Sequence, residues 1–227
     1  MLLAYLISSF PTAIFIGKVF FKQDPREFGS KNAGGTNAGR LWGKKVGLIV
    51  IAIDMIKTVL PLIIVASIMR YSGIDNANFN LYNHGILYYY LAAVGGALGH
   101  CYPLFASFRG GKAVSNFFAL ALFTSWLLLL ISILFFLVLK IKKYVSLASI
   151  TVSFVIVAIA WIMGGLHAAG IFDMNFFIYG GGAFFNFGTG YELPLALTLI
   201  HILLVYRHRA NIKRIIANTE RKITWMK

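Results

Sequence analysis

Of 227 residues, 59% are hydrophobic and only 12% are charged, about half the charged fraction of a soluble domain, which excludes a water-soluble globular protein. The formal net charge of +14 lies beside long apolar runs, where cations set membrane orientation and meet anionic lipid heads, so nucleic acid is not the expected partner. A single cysteine, Cys101, leaves no internal disulfide to form.

The chain reads as one domain, residues 1–227, an all-α polytopic transmembrane helix bundle. Leu2–Phe21 is apolar almost from the start, has no basic residue before it and shows no clear cleavage site. It is expected to be a retained first span. Lys22, Arg26, Lys31, Arg40, Lys44 and Lys45 follow it. The positive-inside rule then puts the N-terminus outside and the next loop in the cytoplasm. That loop, Gly29–Arg40, reads GSKNAGGTNAGR and holds no large apolar side chain. Glycine N–H groups can converge on an oxyanion because no side chain blocks the approach, and the flanking cations add charge. The expected role is a phosphate cradle at the membrane surface.

Val46–Ile68 is the second span. It carries Asp54 and Lys57, three apart and on one helical face. Each alone would cost about 2.5–3.5 kcal/mol at mid-membrane, so they are expected to pair or to face a polar cavity. A structural ion pair is the preferred reading, because pairing already accounts for both; support of a functional site is the alternative. The segment 70–85 has one basic residue and reads as an outside loop. Ile86–Gly99 begins the third span, with Tyr88, Tyr89 and Tyr90 read as an outer aromatic belt and Gly95, Gly96 and Gly99 as a close-packing face. Next comes GHCYPLFASFRGGKA, Gly99–Ala113, a second basic glycine segment that fails as a Walker A loop because Ala113 stands where Ser or Thr is required.

Val114–Leu139 carries no charge, yet both flanks are basic: Arg109 and Lys112 before, Lys140, Lys142 and Lys143 after. Both flanks inside demands an even number of crossings, so two short helices with a turn at Thr124-Ser125 are expected. Val145–Gly165 is a further span that opens on Ser146 and Ser149. The stretch 165–190 lacks Lys and Arg, is rich in Gly and Phe and reads as an outside loop. Leu193–Tyr206 completes the last span. The tail from Arg207 has seven basic residues and one acid, with Ile212, Ile215, Ile216 and Ile223 on one helical face. It reads as an amphipathic helix on the cytoplasmic surface. Seven spans, N-terminus outside and C-terminus cytoplasmic, satisfy every basic loop. They also place both glycine segments, the Ser146–Ser149 junction and the tail on one side, where they can converge on an anion. His100 and His208 lie in these segments and either can serve as a general base. No metal cluster or cofactor motif is present in the sequence.

Three segments together resemble the motifs of a known family. GSKNAGGTNAGR is similar to GSxNxGxTNxxR, GHCYPLFASFRGGKA to GHxxPxFxxFKGGK, and RHRANIKRIIANTE to RHRxNIxRLxxGxE. The family is the bacterial membrane-embedded acyl-phosphate:glycerol-3-phosphate acyltransferases of the PlsY type, and the resemblance covers nearly the whole chain. It implies transfer of a fatty acyl group from acyl phosphate to the 1-hydroxyl of glycerol 3-phosphate, giving lysophosphatidic acid and inorganic phosphate. It further implies a seven-helix fold in the bacterial plasma membrane, a cytoplasmic active site, no cofactor and no obligatory protein partner. Carried over by position, it points to Gly29, Ser30, Thr36, Asn37 and Arg40; to His100, Gly110, Gly111 and Lys112; to Ser149 ahead of Ser146; and to Arg207, His208, Asn211 and Glu220. The expected roles are Lys112 and Arg40 as phosphate clamps, glycine N–H groups as cradle, and His208 as base oriented by Asn211. The substrate's own phosphate is the other candidate proton acceptor. Departures are Arg109 for Lys, Ala113 for Gly and Asn218 for Gly, the last expected to keep a left-handed turn. A phosphate-ester transporter is the alternative. It predicts inverted repeats and a charged path across the membrane, whereas no repeat is seen and the cations crowd one side.

Overall fold

The computed structural model describes residues 1–71, 81–177 and 190–223. These form eleven α-helices and no strand: α1 Leu2–Ser8, α2 Thr12–Phe20, α3 Gly35–Trp42, α4 Lys44–Tyr71, α5 Leu81–Cys101, α6 Val114–Thr124, α7 Trp126–Ser132, α8 Leu134–Lys142, α9 Val145–Ala168, α10 Glu192–Arg207 and α11 Arg209–Ile216. Three stretches among the described residues are long and apolar enough to cross a membrane: Leu2–Phe20, Lys44–Ile68 and Val145–Ala168. The expected loop over 70–85 and the phenylalanines at 184, 185 and 187 fall largely or wholly outside the described residues.

The first span is broken. Pro11 lacks an N–H and ends α1, and the chain restarts at Thr12. The polar groups at this break meet the charges of α4. Lys57 Nζ lies 2.8 Å from Asp54 Oδ1 and donates to the Phe10 carbonyl at 2.8 Å. The Thr12 hydroxyl donates to the same Asp54 oxygen at 2.8 Å, and the Ser8 hydroxyl to the Lys57 carbonyl at 3.0 Å. Asp54 and Lys57 are therefore a buried structural pair, closing a helix break as well as neutralising each other.

In a membrane, close packing substitutes for much of the hydrophobic drive between helices, and small residues permit it. α1 lies against Gly95, Gly96 and Gly99 of α5: a Cβ at Gly95 would meet the Met1 carbonyl, and one at Gly99 the Tyr5 carbonyl. The main core joins α5, α6, α9 and α10 through Tyr90, Phe117, Ile156, Leu197 and Ile200. Tyr89 and Tyr90 are 5% and 2% exposed, so they pack in this core and do not form the expected aromatic belt. The reason is the central position of α5, which is covered on several sides.

The uncharged run from Val114 is interrupted at Ser125, as the basic flanks require, and again at Ile133. The Ser125 hydroxyl caps α7 and donates to the Phe177 carbonyl at 2.9 Å. Trp126 Nε1 donates to the Phe176 carbonyl at 3.1 Å. This break therefore sits beside the segment that follows α9. The two flanks of the run meet the tail instead: Lys112 reaches Asn211, and the Ile223 N–H donates to the Lys143 carbonyl at 2.9 Å. Both flanks lie at one end of the molecule and the break at the other.

The tail is helical only to Ile216. Asn218 then takes φ +56°, the left-handed turn expected there, and the chain doubles back. Ile223 is buried against Leu139 and Ala148, so it belongs to a return strap and not to the apolar face of a single long helix.

Candidate active site

Three separated segments converge where α10 ends. At the centre, Lys112 Nζ donates to Asn211 Oδ1 at 2.7 Å. Asn211 Nδ2 donates to Glu220 Oε1 at 2.7 Å, and the Ser146 hydroxyl to the same oxygen at 2.8 Å. Arg214 Nε donates to Glu220 Oε2 at 2.7 Å. Asn211 thus uses its carbonyl on a cation and its amide on an anion, which fixes its orientation. The turn at Asn218 makes this possible by returning Glu220 to the helix that carries Asn211. Arg40 joins the group from α3: its Nη2 lies 3.5 Å from the Arg221 carbonyl, and Glu220 and Arg214 lie within its field.

Burial lowers the Lys112 pKa to about 8; Glu220 opposes this, and Arg214, Arg207 and Arg40 add to it. Burial works against ionisation of Glu220, but hydrogen bonds from Asn211, Arg214 and Ser146 outweigh it and hold its carboxyl below the usual range. His208 is 3% exposed, and burial, reinforced by Lys112, lowers its pKa to about 4. It is neutral at pH 7. Its Nδ1 lies 2.8 Å from the Leu204 carbonyl. A carbonyl only accepts, so Nδ1 carries the proton and the Nε2 lone pair is left to accept one.

The glycines do different work from that expected. The Gly110 N–H donates to the Cys101 carbonyl at 3.2 Å and the Gly111 N–H to the His100 carbonyl at 3.0 Å. On the other face, Arg207 Nε donates to the Gly111 carbonyl and its Nη2 to the Gly110 carbonyl, each at 3.0 Å. The Arg207 guanidinium also lies 5.1 Å from the Tyr102 ring centroid. These two glycine N–H groups are consumed by backbone, and Arg207 anchors the segment that presents Lys112. In the first motif, Gly35 lies in helix α3, where a Cβ would strike Ile51 and the Gly47 carbonyl. A Cβ at Gly29, which has φ +59°, would strike Asn37 Oδ1. Asn37 itself accepts from the Ser30 N–H at 2.8 Å and donates to the Pro25 carbonyl at 2.8 Å. Gly29 and Asn37 thus shape the loop. Ser30 and Thr36 hydroxyls make no hydrogen bond among the described residues. Arg26 ties this loop to the second motif, donating to the Ala106 carbonyl at 3.0 Å.

Of the serines, Ser149 donates to the Val145 carbonyl of its own helix at 2.8 Å and is fully buried, while Ser146 reaches Glu220. The His100 ring is turned inward toward Asp54 and Gly111. Ala113 stands at φ +60° before α6, a conformation that costs a non-glycine residue about 1–2 kcal/mol. Tyr102 and the Ile223 strap escaped sequence reading; the tyrosine lies next to the second motif's histidine-cysteine pair, but nothing in the sequence shows that Arg207 would cover it.

A buried cation, an oriented amide, a histidine with one free lone pair and a framing carboxylate can hold an oxyanion beside a hydroxyl. Residues 1–218 match the family described as glycerol-3-phosphate acyltransferase. A glycerol-3-phosphate acyltransferase of Staphylococcus aureus (strain Newman) is 37% identical over 227 residues, covering 100% of this chain and 97% of that one. A crystal structure of PlsY (YgiH), an integral membrane glycerol 3-phosphate acyltransferase in its glycerol 3-phosphate form, superposes with a TM-score of 0.71. That protein is 27% identical, with 98% of this chain and 92% of that one covered. The lysophosphatidic acid form gives a TM-score of 0.68 at 26% identity, with 97% and 92% covered. The chain belongs to the glycerol-3-phosphate acyltransferase family.

Proposed function

We propose that this protein transfers a fatty acyl group from acyl phosphate to the 1-hydroxyl of glycerol 3-phosphate, releasing lysophosphatidic acid and inorganic phosphate. The observation that carries the reading is the Lys112–Asn211–Glu220–Ser146 chain beside His208, assembled from the second and third motif segments and the start of α9. The donor arrives activated, so the enzyme's task is to bring two anions together and to orient the attacking hydroxyl. Lys112 holds a phosphate oxygen, with Arg40 supplying a second charge. The hydroxyl oxygen attacks the acyl carbonyl carbon, the ester C–O bond forms, the carbonyl-to-phosphate C–O bond breaks, and its electron pair leaves on phosphate. The hydroxyl's O–H bond breaks as the ester forms, and His208 Nε2, hydrogen-bonded to that hydroxyl, takes the proton. A pKa of about 4 makes this ring a weak base, and that favours a second reading in which a phosphate oxygen receives the proton while His208 orients the hydroxyl.

The finer topology follows the same reading: seven spans, N-terminus outside, C-terminus cytoplasmic, in the bacterial plasma membrane with the site on the cytoplasmic face. The basic residues at the site end support it. Purified protein given acyl phosphate and labelled glycerol 3-phosphate is expected to form lysophosphatidate and phosphate in equal amounts without coenzyme A. Labelled substrate crossing vesicles with no product formed would replace this reading with the transporter.

A further inference from the structure

The second motif contains a histidine that the chemistry above does not use. The His100 side chain is 5% exposed, and its Nδ1 lies 3.8 Å from Asp54 Oδ1 with no hydrogen-bond partner. The opposite edge of the ring fills the space beside Gly111: a Cβ added to Gly111 would collide with Nε2, Cε1 and Cδ2 of this imidazole. The His100 carbonyl receives the Gly111 N–H at 3.0 Å, and a Cβ at Gly110 would strike that same carbonyl. The ring thus lies against Gly111 on one edge and Asp54 on the other, buried between them. What the ring touches is the backbone immediately before Lys112.

We propose that His100 is a positioning residue: its imidazole is the spacer that seats the Gly110–Lys112 segment on the buried Asp54–Lys57 pair and so aims the Lys112 ammonium at its anion. The segment is held from two sides. His100 and Cys101 carbonyls take its N–H groups, and Arg207 takes its carbonyls at 3.0 Å each. Lys112 therefore leaves a fixed backbone, and its side chain needs only Asn211, at 2.7 Å, to complete its placement. The absence of side chains at positions 110 and 111 is explained by this seating.

The inference rests on Lys112 holding substrate anion, and a double-mutant cycle separates the two claims. Lys112→Met alone tests the site reading: unchanged kcat/KM refutes the role of Lys112. If Lys112→Met lowers kcat/KM, His100→Ala tests the positioning role. It is expected to lower kcat/KM about 100-fold in the parent and less than about threefold in the Lys112→Met background, because its effect passes through Lys112. Equal losses in both backgrounds overturn the proposal. They would mean that His100 acts on substrate independently or only supports the folded fraction, which would scale both backgrounds alike. Where His100→Ala yields no folded protein, Gly111→Ala carries the same cycle from the other side of the contact, with the same two outcomes. A second readout is size exchange. Gly111→Ala in a His100→Ala background is expected to recover at least about tenfold over Gly111→Ala alone, since the obstructing ring is gone. No recovery there overturns the spacer role.

Discussion

Glu220 sets the charge of the site, and Glu220→Gln isolates that role. Gln keeps the size and an acceptor oxygen for Asn211 and Ser146, both of which donate to Oε1. It removes the negative charge and places an amide against Arg214 Nε, which is 2.7 Å from Oε2. The Arg214 side chain is 39% exposed and can turn to water, so the main loss is electrostatic. Lys112 has a pKa of about 8, lowered by burial and supported by Glu220. Charges separated by roughly 7 Å at an effective dielectric of about 20 interact by about 2 kcal/mol, and solvent at the site edge cuts this to about 1–1.5 kcal/mol. That corresponds to about one pH unit. The sign follows from the charge: the clamp needs protonated Lys112, and removing a nearby anion disfavours the protonated form. In the parent enzyme kcat/KM is expected to fall on the alkaline side with an apparent pKa near 8, and in Glu220→Gln near 7. Lys112→Arg should carry the limb beyond pH 10, because guanidinium stays charged. The assay is initial rate at low substrate across about pH 6 to 10 in detergent, with fold checked at each end. An alkaline limb that stays in place in Glu220→Gln, or that moves upward, refutes the electrostatic account.

The two serines of α9 should behave differently. Ser146→Ala removes a hydrogen bond to a carboxylate, a loss of about 1.5–3 kcal/mol, and is expected to lower kcat/KM about tenfold or more; Ser149→Ala, whose hydroxyl serves its own helix, should stay within about threefold. A larger loss at Ser149 would reverse that assignment. Gly47→Ala should destabilise and inactivate together, since its Cβ would meet Gly39 Cα and the Gly35 carbonyl and push α3, with Arg40, away from α4; a thermal melt and a rate suffice, and a variant with unchanged melting and activity contradicts the packing. Asp54→Asn leaves Lys57 charged and unpaired at about 3–5 kcal/mol, whereas Asp54→Leu with Lys57→Met should regain most of that stability in the thermal melt; failure of the pair to regain it would show that the charges do more than neutralise each other.

Charge placement was the most legible feature of the chain. The basic flanks of Val114–Leu139 required a turn, and Ser125 supplies it. They also put Arg40, Lys112 and the tail at one end, where the structure brings them together. Glycine was the least legible. It offers an open N–H and it lacks a Cβ, and sequence does not distinguish the two uses. Gly29, Gly110 and Gly111 were expected to bind phosphate; all three, like Gly35, make room for a neighbour, and the last two of them also have their N–H groups bonded to backbone. Ser146 and Ser149 are three residues apart on one helix, so the choice between them depended on where Glu220 returned. That return depends on a single left-handed residue, Asn218, which the motif hinted at, and on the burial of Ile223, which read as helical periodicity.

The most direct test is a structure of the protein with glycerol 3-phosphate and a non-transferable acyl phosphonate bound together. The account predicts an anionic oxygen within hydrogen-bond distance of Lys112 Nζ, with the glycerol 1-hydroxyl at His208 Nε2 and facing the acyl carbonyl carbon. Both anions bound away from Lys112, or a hydroxyl remote from His208, would contradict it.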